Sequence, residues 1–263
     1  VPVHYVNGHI VIPAGSLAAG ANSVRIGFDA GDASLNRSKD FLYTLFVPAR
    51  ARLAFPVFDQ PDMKGRWTLT LEHPAKWQSA ANGAELSRVP ADVQTARAPD
   101  GAQRVIVKFA ETQPLPTYLV AFICGDFKIE TAERNGRTFR MFHRETDAAK
   151  VARNRDAIFD LHARALEFLE RYTAIPYAFG KFDFVAIPAF QFGGMEHAGK
   201  ILYNASGLML DESATQNQLL GRASVISHET AHMWFGDLVT MRWFNDVWMK
   251  EVFANFMAAK IVN

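Results

Sequence analysis

Near residue 145 the hydrophobic pattern of this chain changes period, and that change limits the folds open to it. Before it, short runs rich in Val, Ile, Phe and Tyr alternate with Gly, Pro and Asn clusters: Val3–Ile12, Ser23–Phe28, Phe41–Val47, Trp67–Glu72, Arg104–Ala110 and Tyr118–Cys124. Such runs read as strands with turns between them. Phe127–Glu133 and Thr138–His143 flank Arg134-Asn135-Gly136-Arg137, a hairpin turn because Asn-Gly accepts positive φ. After residue 145, Ile158, Leu161, Ala165, Phe168, Leu169 and Tyr172 recur at helical spacing. They predict a helix over Asp147–Tyr172, ended by Ile175-Pro176. Phe182–Ile187 reads as a buried strand. A second helix is predicted over Ala214–Phe235, opened by a Ser213/Gln216 capping box and stopped by Gly236. Leu238–Trp243 follows as an extended stretch, and Asp246 suits the N-cap of a third helix. The expected fold class is α+β. An all-β saddle or sandwich domain occupies 1–144, and an α/β domain occupies 145–263.

Composition supports a well-filled core, with 49% apolar residues, 21 Phe and 5 Trp. The net charge of +1 and the scatter of Arg50, Arg52, Arg134, Arg137, Arg153 and Arg155 give no electrostatic reason to expect nucleic acid or an anionic membrane as partner. The single cysteine, Cys124, sits in an apolar stretch and reads as a small buried hydrophobe. No apolar run approaches the ~20 residues of a membrane-spanning helix. Val1 opens in strand-like sequence without a Met, and Asn263 stops inside a helical pattern, so the chain is expected to be a piece of a longer protein. Nothing in it selects a compartment.

The chemistry concentrates on the second helix, at His228-Glu229-Thr230-Ala231-His232. Two His four apart stand one turn above each other on one face and can share a metal. Glu229 projects ~60° round from His232, beside such an ion rather than on it. With 8 His and 12 Glu in 263 residues, this pattern is expected by chance about 0.01 times. A catalytic zinc takes three protein ligands and keeps one position for water. Glu251, nineteen residues past His232 and one turn into the third helix, is the candidate third ligand. One zinc per chain is therefore expected, with Glu229 taking the proton of the attacking water and passing it to the leaving amine. The other ring N–H of each His needs an oriented acceptor. Asn255, Asp237 and Asp246 are candidates for that role.

At these residues the sequence resembles the aminopeptidase N family of gluzincin zinc peptidases, whose signature is H-E-x-x-H, eighteen residues, then Glu. The text from His228 to Met241 and from Trp243 to Trp248 is similar to that family, as is Phe55-Pro56-Val57-Phe58-Asp59-Gln60-Pro61-Asp62-Met63-Lys64. Gly193-Gly194-Met195-Glu196-His197 resembles its G-x-M-E-N segment. The resemblance implies a β-saddle domain followed by the first part of a thermolysin-like catalytic domain. It also implies peptide substrates with a free N-terminus, whose α-amino group Glu196 binds. Gly193, Gly194 and Met195 would be substrate-binding, the glycines letting a peptide approach as an added strand.

Four positions depart from the family pattern. His197 replaces its Asn, Lys250-Glu251-Val252-Phe253-Ala254 stands where it reads N-E-G-F-A, and Val47 falls where many relatives carry a second amino-binding Gln or Glu. These bear on how the α-amino group is held. The resemblance also implies a transition-state Tyr and a helical C-terminal domain beyond Asn263, so the chain alone is expected to bind metal but to turn over poorly. Two other readings stand beside the aminopeptidase. One is a relative acting on a non-peptide substrate such as an epoxide, and the other is a binding or scaffold relative, which the intact His228, Glu229, His232 and Glu251 disfavour.

Overall fold

The computed structural model describes residues 4–91 and 103–263. The chain divides into two compact units, residues 1–30 and 31–263. In the first, β1 (His4–Val6) and β2 (His9–Val11) form an antiparallel hairpin. The run expected as one strand, whose Val3 lies outside the described residues, is thus folded back on itself. The cause is Asn7-Gly8, with φ of 50° and 79°, the same turn chemistry that joins the later hairpin. Ser23–Phe28 is not a strand. A strand needs a ladder partner for its backbone groups, and among the described residues this segment has none. Its Val24, Ile26 and Phe28 are exposed.

In the second unit, the β-rich part comprises β3 (Leu35–Arg37), β4 (Phe41–Thr44), β5 (Thr70–Pro74), β6 (Gln78–Ala81), β7 (Glu85–Pro90), β8 (Arg104–Phe109) and β9 (Phe122–Gly125). Among the described residues they make an antiparallel sheet ordered β3-β4-β9-β6 and a second ordered β5-β8-β7. The run expected over Tyr118–Cys124 splits. Thr117–Leu119 forms a 3-10 turn directly after Pro116, and only Phe122–Gly125 joins the sheet.

The next sheet positions the site. It contains β10 (Lys128–Arg134), β11 (Arg137–His143), β12 (Phe182–Ile187), β13 (Gly194–Met195) and β14 (Lys200–Asn204), ordered β10-β11-β12-β14-β13. The β10–β11 hairpin turns at Asn135 and Gly136, with φ of 51° and 71°, as the sequence implies. β11 pairs in parallel with β12, so this sheet runs across residue 145. Every residue of β12 is buried. Because side chains alternate along a strand, Phe182, Phe184 and Ala186 pack with Ile158, Phe159 and Leu166 of α1 (Ala148–Thr173). Val185 and Ile187 face the other way and pack with Tyr43, Leu45, Leu115, Tyr118 and Ile123 of the β-rich part. One strand therefore serves two cores.

Asp147 caps α1, its side chain accepting from the Ala149 and Lys150 amides, and Ala174 ends it with φ of 55° before Ile175-Pro176. After a short helix, α2 (Ala205–Leu208), comes α3 (Gln216–Ala231). Its capping box is Thr215 with Gln218, not Ser213 with Gln216. The segment offers both frames, and the later one lets Ala214 close a turn on the Asp211 carbonyl. The helix also stops at Ala231, four residues before the predicted end. In α4 (Val247–Val262) Asp246 precedes the first residue but its carboxylate makes no capping bond. A 3-10 turn over Phe244–Asp246 carries the chain into the helix, and the Val247 amide bonds the Phe244 carbonyl instead.

His162 of α1 is fully buried between Phe184, stacked at 4.0 Å, and Tyr203. Its Nδ1–H donates to the Ile158 carbonyl at 2.8 Å, and Nε2 lies 3.0 Å from the Tyr203 hydroxyl. Burial pushes its pKa down to about 3, against ~6.5 unfolded. The depressed value means that this group's contribution to stability is present above pH ~6.5 and lost as pH falls towards 3. At about 1.4 kcal/mol per pH unit, His162 should lower the unfolding free energy by about 2 kcal/mol between pH ~6.5 and ~5. Urea unfolding at the two pH values measures this. His162→Gln should flatten that share of the slope, and an unchanged slope in the variant would refute the assignment.

Candidate metal centre

His228 stands on the last turn of α3, His232 caps that helix, and Glu251 stands on the second turn of α4, against which α3 packs. The two Nε2 atoms are 3.0 Å apart, and Glu251 Oε2 lies 3.3 Å from His228 Nε2 and 3.5 Å from His232 Nε2. A tetrahedral ion with bonds of ~2.0–2.2 Å separates its ligand atoms by ~3.3 Å. The triangle has the size such an ion requires.

Hydrogen bonding on the far side of each ring sets which nitrogen faces inward. His228 Nδ1 lies 3.1 Å from Asn255 Oδ1, and His232 Nδ1 lies 3.0 Å from the Phe235 carbonyl. A carbonyl oxygen only accepts, so Nδ1 carries the hydrogen and Nε2 presents its lone pair. Two lone pairs and a carboxylate oxygen then converge at close range, an arrangement that a cation among them relieves. The early end of α3 matters here, because it turns the chain so that the Phe235 carbonyl reaches back to His232. Of the acceptors named from sequence, Asn255 serves His228. Asp237 and Asp246 do not bond the imidazoles. The Asp237 carboxyl is buried with neither oxygen hydrogen-bonded, and burial and the charge of Glu196 push its pKa well up.

Glu229 sits beside the triangle, buried, with Oε2 unpartnered. Burial first and the charge of Glu196 second raise its pKa well above the usual carboxylate range, against the pull of Lys250. That is the environment of a carboxyl group ready to take a proton. A Cβ on Gly194 would collide with the Glu229 carboxylate, so any larger residue at that position on the edge strand β13 would push that carboxylate from its place. Glu196 follows β13 directly, and its carboxylate lies in one cluster with Glu229 and His232.

Lys250 joins these groups. Its Nζ donates to Glu196 Oε1 at 2.5 Å and to Glu251 Oε1 at 2.6 Å. Burial opposes the ammonium, but the two carboxylates hold its pKa above the usual lysine range. In turn burial raises the Glu196 pKa, yet Lys250 foremost outweighs it and the pKa falls to about 2. Glu251 is likewise drawn well down, against its burial, with Lys250 favouring its ionised form.

These residues open on a cleft of about 270 Å³ lined by His228, Glu229, His232, Lys250, Glu251, Gly194, Met195 and Glu196. Val47, Pro48, Tyr118, Phe192, Met241, Phe244 and Val247 supply apolar walls. The sequence-derived candidates thus meet in one place, apart from Gly193. Its carbonyl is turned inward to accept the Asn204 amide. His197 is fully buried and off the cleft wall. The double ion pair of Lys250 and the wall residues Tyr118, Phe192, Met241 and Phe244 escaped sequence reading. Lys250 alone gave a signal, as an unexpected residue beside the candidate ligand Glu251.

Residues 158–263 match the Peptidase family M1 domain, and residues 29–119 match the Peptidase M1 N-terminal domain. The chain is 37% identical to Endoplasmic reticulum aminopeptidase 1 of Mus musculus over 215 residues, 81% of this chain and 22% of that protein. It is 34% identical to Probable aminopeptidase 1 of Sulfurisphaera tokodaii over 217 residues, 82% of this chain and 26% of the relative. With Tricorn protease-interacting factor F2 of Thermoplasma volcanium it shares 33% identity over 230 residues, 88% and 27% of the two chains. The chain therefore spans about a quarter of the length of these curated relatives.

The Asn255 contact generates a prediction. Asn255 is exposed, so Asn255→Ala should leave the fold intact. Freeing His228 Nδ1 should weaken metal binding by about 10- to 100-fold, as measured by chelator competition. Unchanged affinity would mean that Asn255 does not orient the ring.

Proposed function

Because this chain belongs to peptidase family M1, we propose that it carries the zinc site of an aminopeptidase that removes the first residue of peptides with a free N-terminus. The observation that supports this most directly is the triangle of His228 Nε2, His232 Nε2 and Glu251 Oε2, with edges of 3.0, 3.3 and 3.5 Å. In this reading His228, His232 and Glu251 hold one zinc. Residues 1–144 are the N-terminal β-saddle domain and 145–263 the start of the thermolysin-like catalytic domain, whose sheet takes in the β10–β11 hairpin.

When bound, zinc supplies a Lewis acid that acidifies a water and polarises a carbonyl. The chain's own residues do the rest. Glu229, with its unpartnered Oε2 and raised proton affinity, takes the proton of the attacking water and delivers it to the departing nitrogen. Glu196 receives the substrate's α-ammonium, which fixes the scissile bond one residue from the amino end. Gly194 keeps the backbone of β13 close to the base, and Met195 forms part of the wall along which the peptide lies. The apolar walls exclude water from the reacting groups and favour an apolar first side chain.

Metal content of the purified chain, read by mass spectrometry, tests the metal half. One zinc per chain is expected, lost in both His228→Ala and Glu251→Ala; no zinc after incubation with it would sink the assignment. The chemistry is tested on the complete parent protein with amino-acid anilides and their N-blocked forms. Faster cleavage of the free amino termini than of the blocked forms is expected. Glu229→Gln should retain zinc and lose at least about 10²-fold in kcat. Retained activity would remove Glu229 as the base.

A further inference from the structure

The carboxylate that the proposed function gives to the substrate's amino group already carries an ammonium. Lys250 Nζ lies 2.5 Å from Glu196 Oε1, with the Lys250 side chain 9% exposed and that of Glu196 4% exposed. The same Nζ is 2.6 Å from Glu251 Oε1 and lies over the Tyr118 ring, 5.9 Å from its centroid. Lys250 therefore enters the cleft from α4, one residue before the proposed third metal ligand, and lines it together with Glu196.

We propose that Lys250 is a specificity-determining residue: an internal ammonium that competes with the substrate's amino group for Glu196. This rests on the reading of Glu196 given above. Two ammonium groups on one carboxylate, between apolar walls, repel each other strongly, and little solvent is present to screen them. A substrate amine must therefore displace Lys250 from Glu196. Lysine is suited to such an exchange, since its charge sits on a flexible four-carbon stem. Glu251 Oε1 gives it a second seat when it leaves the first. Peptides with a free amine consequently gain less from Glu196 than the carboxylate would supply alone. The discrimination between free and acylated amino termini is set by residue 250 as much as by residue 196.

The test is direct binding of leucinamide and N-acetyl-leucinamide by calorimetry, on the zinc-loaded and the metal-free forms of the full chain. The wild-type chain is expected to bind the two probes within about threefold of each other, and Lys250→Met to favour the free amine by about tenfold or more. Lys250→Asn serves as a second neutral variant should Lys250→Met fail to fold, and Lys250→Arg is expected to behave like the wild type. Adding Glu196→Gln to Lys250→Met should abolish the gain. An identical probe ratio in wild type and neutral variants would overturn the proposal and leave Lys250 a structural counter-ion. A wild-type chain that already favours the free amine tenfold, or a gain that survives Glu196→Gln, would overturn it too. The metal-free arm separates the two readings. A chain that takes up no zinc yet shows the altered ratio sinks the metal assignment and sustains the role of Lys250, while zinc uptake with an unaltered ratio does the reverse.

Discussion

The architecture hangs on a strand with no solvent side. Phe182–Ile187 is buried along its whole length, so both of its faces must be covered. Large apolar side chains each contribute about 1.5–3 kcal/mol when buried, and here they are sent alternately to opposite faces. One face demands helices and recruits α1 and α3, while the other demands the β-rich part. Asp183, the strand's one charged residue, is tolerated only because Arg140 grips it through both carboxylate oxygens at 2.9 and 2.6 Å and Lys181 adds a third bond at 2.8 Å. With β12 fixed, β14 and the edge strand β13 follow in register, and the edge comes to rest against Glu229 on α3.

The site built on this frame concentrates like charge. Glu196, Glu229, Glu251 and Asp237 lie close enough to disturb one another's protonation, and Lys250 is the cation that opposes them all. Removing several carboxylates from water without matching positive charge is costly. The structure divides them accordingly. Those that touch Lys250 are pulled toward the ionised form, and those that do not, Glu229 and Asp237, are pushed toward the protonated one. One lysine thereby divides the acids into those held ionised and those held protonated.

How much of this was legible depended on distance along the chain. His228, Glu229 and His232 are related by helical periodicity alone, so their shared face followed from spacing. Glu251 needed only the start of the next helix. The Asn135-Gly136 hairpin was equally local. Asn7-Gly8 carried the same signal inside what read as one continuous strand, and the turn won. The capping box failed for a different reason: Ser213 and Thr215 both precede a Gln by three residues, and a turn at Asp211 decides between them. What spacing could not carry were contacts that exist only because β12 is sandwiched, such as Tyr118 on the cleft wall or Lys250 on Glu196, 54 residues away in the chain.

The two imidazoles proposed to hold the metal also occupy a particular place on their helix. His228 lies in the last turn of α3 and His232 caps it, at the end where the aligned peptide dipoles place their negative pole. A cation at that pole gains roughly 0.3–1 kcal/mol, and up to ~2 where solvent is partly excluded, from backbone that never touches it. The affinity of the centre is then partly a property of the whole sixteen-residue helix. Thr215 and Gln218, which satisfy the amides at the positive pole, keep that dipole intact from the opposite end. A residue that fastens the start of the helix thus takes part in holding whatever ion sits at its finish.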